Sequence, residues 1–223
     1  MKIDKYIGQS GFTSRRKANE LIDEKRVLVN GKIATVSTTV KEGDIILIDG
    51  KEMEVKDFVP TYIVYNKPKG IECTSEKIAN NIIDAIGHEQ NIYPVGRLDK
   101  DSEGLILLTN HSEIIDKIAN AEFGHEKEYI VSVDKTVTPE FIRNMSNGVP
   151  ILGEITKKCY VRQEGSRRFR IILTQGLNRQ IRRMCEHFGY KVMKLTRVLI
   201  MNVSLGNLPA GKWRYLTPQE IDT

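Results

Sequence analysis

Residues Gly96-Arg97-Leu98-Asp99-Lys100-Asp101-Ser102-Glu103-Gly104 crowd charge between two glycines, and Leu105-Ile106-Leu107-Leu108-Thr109 follows without a break. A short apolar run of this kind reads as a buried strand. The charged loop is therefore held against the core at its C-terminal end. Asp99 and Arg97 have few ways to drift into solvent, and an acid fixed at the edge of a core strand is a place to look for chemistry. A salt-laced surface turn would read the same way, so the rest of the chain has to decide.

The 223 residues allow one large domain, or a moderate domain plus a small one, and 40% hydrophobic content is enough for a packed core. No window approaches about 18 uninterrupted apolar residues, and Met1-Lys2-Ile3-Asp4-Lys5 lacks an apolar signal core, so a cytoplasmic protein that does not enter the membrane is expected. Cys73, Cys159 and Cys185 are odd in number and widely spaced. They suggest neither a disulfide frame nor a metal site, and read as small core residues. Charge is more informative. Residues 155–200 hold twelve Lys and Arg against Glu164 and Glu186, while the chain as a whole carries only +5. The basicity is local, the footprint of a polyanion-binding surface.

In the first segment, Thr13 or Ser14 can cap a helix in which Ala18, Leu21 and Ile22 share one face. Its first turn holds Arg15, Arg16 and Lys17, of the sign the helix dipole disfavours there. A phosphate backbone would want them. Asn30-Gly31 between Val27-Leu28-Val29 and Lys32-Ile33 signals a hairpin, and Gly43-Asp44 introduces a strand over Ile45-Ile46-Leu47-Ile48 that Asp49-Gly50 turns. With Lys2-Ile3-Asp4-Lys5-Tyr6-Ile7 and Ser14-Arg15-Arg16-Lys17-Ala18, these pieces resemble the S-four-type RNA-binding domain shared by a small-subunit ribosomal protein and tyrosyl-tRNA synthetases. Lys2-Ile3 stands where Arg-Leu is more usual. Lys51 to Phe58 mixes charges without an apolar period and reads as a linker, which gives domains at 1–57 and 58–223.

The second segment opens with a strand at Thr61-Tyr62-Ile63-Val64-Tyr65 running into the turn Asn66-Lys67-Pro68-Lys69-Gly70. Lys127 to Val133 is a strand with Tyr129, Val131 and Val133 on one face, so Tyr129 meets the core or a cleft. Arg168 to Thr174 alternates as a half-buried strand. After Gln175-Gly176 comes a helix whose stripe is Leu177, Ile181, Met184, Cys185 and Phe188, closed by Gly189. Arg182 falls at the border of that stripe near Asn178, where it can pair with a partly buried acid. Arg179 and Arg183 should look outward.

Asn66-Lys67-Pro68-Lys69-Gly70, then Pro94 to Asp99 through Gly104 to Asn110, then Lys127-Glu128-Tyr129, then Gly176 to Met184 occur in the order seen in the RsuA/RluF branch of ribosomal RNA pseudouridine synthases, which the chain resembles over nearly its whole length. The second domain is most similar to the RluF type. The resemblance implies an α+β protein: a small N-terminal α/β RNA-binding domain, and a larger catalytic domain built on a mixed, mostly antiparallel sheet flanked by helices. It implies Asp99 as the catalytic aspartate, Tyr129 as the active-site tyrosine, Arg182 as the base paired with the aspartate, and Arg97 as the arginine that helps hold the flipped nucleotide's place. Arg15, Arg16, Lys17, Asn178, Arg179 and Arg183 are the further candidates for binding RNA. Ser102 replaces a commoner threonine, Leu199-Ile200-Met201 departs from a more basic stretch, and a basic tail found in some relatives is missing.

Conversion of uridine to pseudouridine breaks N1–C1', turns the uracil and forms C5–C1'. Nothing is oxidised, so neither cofactor nor metal is expected. A carboxylate can attack the electron-poor sugar carbon or remove a neighbouring proton, and the residues do not choose between the two. The base must also leave its stack, and Tyr129 is the candidate to hold it. The expected partner is ribosomal RNA, from the large subunit or its assembly intermediates, and the expected state is a monomer. The rival readings are a non-catalytic RNA-binding or ribosome-assembly factor, a synthase acting on small-subunit RNA or tRNA, and a nucleotide-phosphate enzyme. The last is weakened by the lack of a Gly-rich phosphate loop.

Overall fold

Two Asx-Gly pairs fix the turns of the N-terminal unit. In the computed structural model, which describes residues 1–13, 15–53, 59–76, 78–111, 114, 115, 118 and 124–221, Asn30, Gly31, Asp49 and Gly50 take φ of 49°, 78°, 52° and 75°. Two positive φ in succession suit the right-handed twist of a hairpin. These turns join β1 (Val27–Val29) to β2 (Lys32–Ile33) and β3 (Ile46–Ile48) to β4 (Lys51–Glu52) in an antiparallel sheet ordered β2-β1-β3-β4. Val27, Val29, Ile46 and Ile48 are buried at every second position, and they pack with Ile3 and Ile7 of α1 (Ile3–Gln9) and Ala18, Leu21 and Ile22 of α2 (Arg15–Asp23).

Lys51–Glu52 departs from the linker expected there. Its backbone completes the sheet through Ile48 and Leu47, and Met53 enters the core, so the charge of its side chains was no guide to its pairing. Ser14 and residues 54–58 of that linker lie outside the described residues.

The chain divides into two compact units, Met1–Tyr62 with His88–Tyr93 and Thr109–Ile114, and Ile63–Gly87 with Pro94–Leu108 and Ile115–Thr223. The larger unit is built on β5 (Tyr62–Lys67), β6 (Tyr93–Val95), β7 (Glu103–Thr109), β8 (Lys127–Val133), β11 (Tyr160–Gly165), β12 (Arg168–Leu173), β13 (Val192–Ile200), β14 (Val203–Ser204) and β15 (Trp213–Tyr215). Its sheet runs β11-β12-β8-β13-β7-β5-β15, with β14 on β13 and β6 on β7, while β9 (Pro150–Ile151) and β10 (Glu154–Ile155) form a separate hairpin. β13 is parallel to β7 but antiparallel to β8, so the sheet is mixed.

Helices among the described residues that accompany it are α3 (Ile82–Ile86), α4 (Pro139–Ser146), α5 (Gln180–His187) and α6 (Pro218–Ile221). Thr138 caps α4 by accepting from Phe141 N, and Pro139 at the first helical position suits its fixed φ. Phe141 and Met145 of α4, with Ile181, Met184 and Cys185 of α5, bury themselves against Val131, Val133, Phe169, Ile171 and Leu195. At about 25 cal/mol per Å2, burial on that scale is what holds α5 to the sheet. A second apolar cluster joins Val64, Val95, Leu105, Leu107, Ile200 and Val203. The strand expected from Leu105 is thus the core strand β7, and the charged loop before it is anchored as the sequence required.

Register makes one further arrangement. Gly104 pairs with Arg197, Arg197 with Tyr129, and Tyr129 with Ile171, so these four residues form a row across β7, β13, β8 and β12.

Candidate active site

Asp99, Arg97, Tyr129, Asn178, Arg179, Arg182 and Arg197 line one cleft of about 570 Å3 within the larger unit. That is within the roughly 300–1,000 Å3 of pockets that enclose small ligands. Asp99 sits in a turn closed by Ser102 N donating to Asp99 O at 3.0 Å, and Lys100 O accepts from Gly70 N at 2.8 Å. The Asn66-to-Gly70 turn therefore braces the loop. The Asp99 side chain is 37% exposed, with Arg179 Nη1 at 3.9 Å from its Oδ2. It is held in position yet open to whatever fills the cleft.

Arg182 is buried as the border of the helix stripe requires, but its partner is not Asp99. Its Nη2 donates to Asp101 O and to Ser102 Oγ, both at 3.0 Å, and its Nε lies 3.5 Å from Asp101 Oδ2. The expected Arg182–Asp99 pair is thus replaced by a grip on the two loop residues that follow Asp101's amide. The reason is geometric: from α5 the guanidinium meets the C-terminal half of the turn first, and Ser102 supplies a hydroxyl that accepts from it. Ser102 is itself buried. Its hydroxyl ties the turn to α5.

Arg179 looks outward as expected, with its side chain 41% exposed, yet it is paired. It is the N-cap of α5 with a left-handed φ of 51°, and it crosses to Asp101 with two bonds of 2.9 and 2.8 Å. That pairing, with Arg182 behind it, holds the Asp101 carboxyl below the usual carboxylate range. Arg183 instead turns onto Asn178, donating to its backbone O at 3.0 Å and its Oδ1 at 3.2 Å. Arg97 is exposed at the cleft wall.

Tyr129 is half-buried, packs against the core cluster and lines the cleft, so both readings of it hold at once. Cys73 differs from its expectation as a core residue: it lines the cleft, with Sγ accepting from Leu98 N at 3.4 Å, and burial pushes its thiol up. Cys159 packs against the core and Cys185 lies within it.

The basic segment 155–200 is partly paired with acids and partly buried. Arg162 and Arg170 pair with Glu164, Arg170 also with Glu128, and Lys194 with Glu103. Arg179 and Arg182 serve the cleft, and Arg197 is buried. Strand alternation and the turn to α5 distribute these cations, which a count along the chain cannot see. Arg15, likewise, is tied to the buried Asp4 through Nε and Nη2 at 3.1 and 2.9 Å, Lys17 bonds Glu20 at 2.8 Å, and Arg16, 3.9 Å from Glu20, is the most exposed of the three.

Lys67 and Arg197 were not among the sequence candidates. Lys67 Nζ donates to Pro68 O at 3.0 Å and Ile71 O at 2.8 Å, and burial pulls its ammonium down from its ordinary value. Arg197 donates from Nε to Leu105 O at 2.7 Å and from Nη1 to Arg97 O at 3.4 Å. A signal was present for Arg197: it shares strand parity with the apolar Leu195, so it had to face inward. Gly104 makes room for it, with φ of 105° and a would-be Cβ only 2.3 Å from Arg197 O.

Among the described residues no group of three His, Cys, Asp or Glu could hold a metal ion, and no helix is long and apolar enough to cross a membrane. Residues 61–187 match the family model described as RNA pseudouridylate synthase, and residues 1–46 match that of the S4 domain. The chain is 52% identical to the dual-specificity RNA pseudouridine synthase RluF of Escherichia coli (strain K12), over 99% of this chain and 77% of that protein. It is 32% identical to the ribosomal large subunit pseudouridine synthase B of Bacillus subtilis (strain 168), over 99% and 93%. A solved structure described as that of a pseudouridylate synthase superposes with a TM-score of 0.72 at 26% identity, over 100% of this chain and 98% of that one.

Proposed function

The chain belongs to the RNA pseudouridine synthase family and carries an S4 domain, and from that premise we propose that it isomerises a uridine of large-subunit (23S) ribosomal RNA, with Asp99 as the catalytic carboxylate. The observation that carries the residue assignment is a solvent-open carboxylate on a braced turn, in a nucleoside-sized cleft that Tyr129 also lines. The large-subunit target rests on the sequence similarity described above, including the 32% identical relative whose name specifies that subunit.

In the proposed reaction, the target nucleotide turns out of its stack into the cleft, at a cost of a few kcal/mol offset by contacts there. Tyr129 stacks on the uracil and Arg97 takes its vacated place. Asp99 then either bonds to C1' or removes the C2' proton as the C1'–N1 bond breaks. The base turns, C5 joins C1' as the Asp99–C1' bond breaks or the C2' proton returns from Asp99, the C5 proton is released, and N1 takes up a proton. Arg182 acts through Asp101 and Ser102, keeping the turn that presents Asp99 rigid. Residues 1–57 supply RNA affinity through Arg16 and Lys17, and the chain works as a monomer in the cytoplasm.

The test is release of tritium from RNA labelled at uracil C5, using large-subunit transcript, small-subunit transcript and tRNA in parallel, since the 52% identical relative is named dual-specificity. The intact protein should release tritium from the large-subunit RNA, and Asp99→Asn should lose at least about 10³-fold of that rate. In the same assay Tyr129→Phe should keep far more activity than Tyr129→Ala. Release confined to small-subunit RNA or tRNA would overturn the target, and undiminished turnover in Asp99→Asn would overturn the assignment of the carboxylate.

A further inference from the structure

Lys67, Arg182 and Arg197 are the cations buried among the described residues, at 0%, 8% and 3% exposure. Each ends on the Asp99 loop or on the turn that braces it. Arg197 differs from Arg182 in its charge balance. Its three nitrogens meet two backbone carbonyls and nothing else: Nη2 is buried with no hydrogen-bond partner. Among the described residues it forms no ion pair with an acid. Burying a guanidinium without a paired carboxylate is costly, and a negative charge arriving in the cleft would offset that cost.

The row of paired residues says where that charge arrives. Arg197 stands between Gly104, which ends the Asp99 loop, and Tyr129, the stacking candidate, and all but the glycine line the cleft. Lys67 and Cys73 both lie within electrostatic reach of Arg197 and of Asp99. Before reaction the negative charges in this neighbourhood are the Asp101 carboxylate, already paired with Arg179 and Arg182, and the Asp99 carboxylate. When C1'–N1 breaks, its electron pair goes to N1, and Asp99 is neutralised in the same step, by bonding to C1' or by taking the C2' proton. By either route one negative charge leaves Asp99 and appears on the detached uracil. A fixed cation lining the same cleft needs no reorganisation during that transfer.

We propose that Arg197 is a further residue of this reaction: it fixes both ends of the Asp99 loop through Arg97 O and Leu105 O, and its uncompensated guanidinium stabilises the uracil anion between cleavage and rejoining. The inference rests on the Asp99 mechanism proposed above, and the experiment separates the two.

Single-turnover loss of the N1-linked target nucleoside is measured by nuclease digestion and chromatography, on RNA carrying uridine or 5-fluorouridine. Fluorine at C5 withdraws electrons and stabilises the uracil anion, so it substitutes for part of a lost cation. Arg197→Gln should slow the uridine reaction about 100-fold or more and the fluorouridine reaction at least about tenfold less. Arg197→Lys, which keeps the charge but cannot span both carbonyls, should slow both substrates equally and preserve the ratio of the intact protein. Equal slowing of both substrates by Arg197→Gln, with an unchanged melting curve, would reduce Arg197 to a packing role and overturn the inference. If Arg197→Gln does not fold, Arg197→Lys decides: a shifted ratio there overturns it. Asp99→Asn is run alongside, and turnover retained in that variant sinks the underlying mechanism, independently of what the Arg197 variants do.

Discussion

Arg16 on α2 is 87% exposed and its neighbour Lys17 bonds Glu20 at the surface, whereas Arg182 and Arg197 in the larger unit are buried and hold backbone carbonyls. The residue types are the same and the physics is opposite. An exposed cation contributes little to the fold, because water and salt screen it, and its free energy is expressed when a polyanion displaces counterions. A buried guanidinium is screened by almost nothing. It fixes geometry through its planar donors and projects its charge across the cleft. Arg15 is intermediate, with a half-exposed side chain on a buried carboxylate.

The largest test of this contrast leaves every cation in place. Gly104→Ala puts a Cβ against the Arg197 backbone at a φ that resists side chains, and should destabilise the protein by about 3 kcal/mol or more in denaturant unfolding, with turnover lost in the folded remainder. If it unfolds like the intact protein, the seat of Arg197 is softer than its geometry says. Next, Arg182→Ala strips Asp101 O and Ser102 Oγ of their donor and should cost about 3 kcal/mol. Because Arg182 acts through the turn, kcat should fall while RNA affinity holds, and a change confined to KM would assign it to RNA contact instead.

Arg15→Ala should cost about 2 kcal/mol, since it abandons the buried Asp4 carboxylate. Adding Asp4→Asn should recover part of that loss, and no recovery would mean the arginine matters by its packing alone. The smallest effect on the fold belongs to Arg16→Ala with Lys17→Ala. The melting temperature should stay put while RNA binding weakens and the slope of log affinity against log salt shrinks by about 1 to 2. A large loss of stability with an unchanged salt slope would erase the distinction between the two regions.

The same contrast explains what could be read in advance. The Asn30-Gly31 and Asp49-Gly50 hairpins, the α5 stripe and strand β7 were legible because each is a local pattern with a local cause. Motifs whose order matched a known family singled out Asp99 and Tyr129, and the structure puts both on one cleft. Helix α3 was missed although Asn81 caps it by accepting from Asp84 N and Gly87 closes it at φ 62°. Five residues are too short a window for helical periodicity to register. Lys51–Glu52 was misread because an edge strand is defined by backbone pairing, and its side chains carry the signature of a loop.

By itself the sequence determined most of the elements and their hydrophobic faces, since these follow from spacing along the chain. Only the tertiary structure decided which arginine meets which acid. Arg182 is 80 residues or more from its loop partners, and Arg197 is 92 from Leu105. At such separations a partner is chosen by strand register and by the direction from which a helix approaches. That is why Arg182 closes on Asp101 and Ser102 rather than on Asp99, and why an arginine counted as surface charge stands buried beside Gly104.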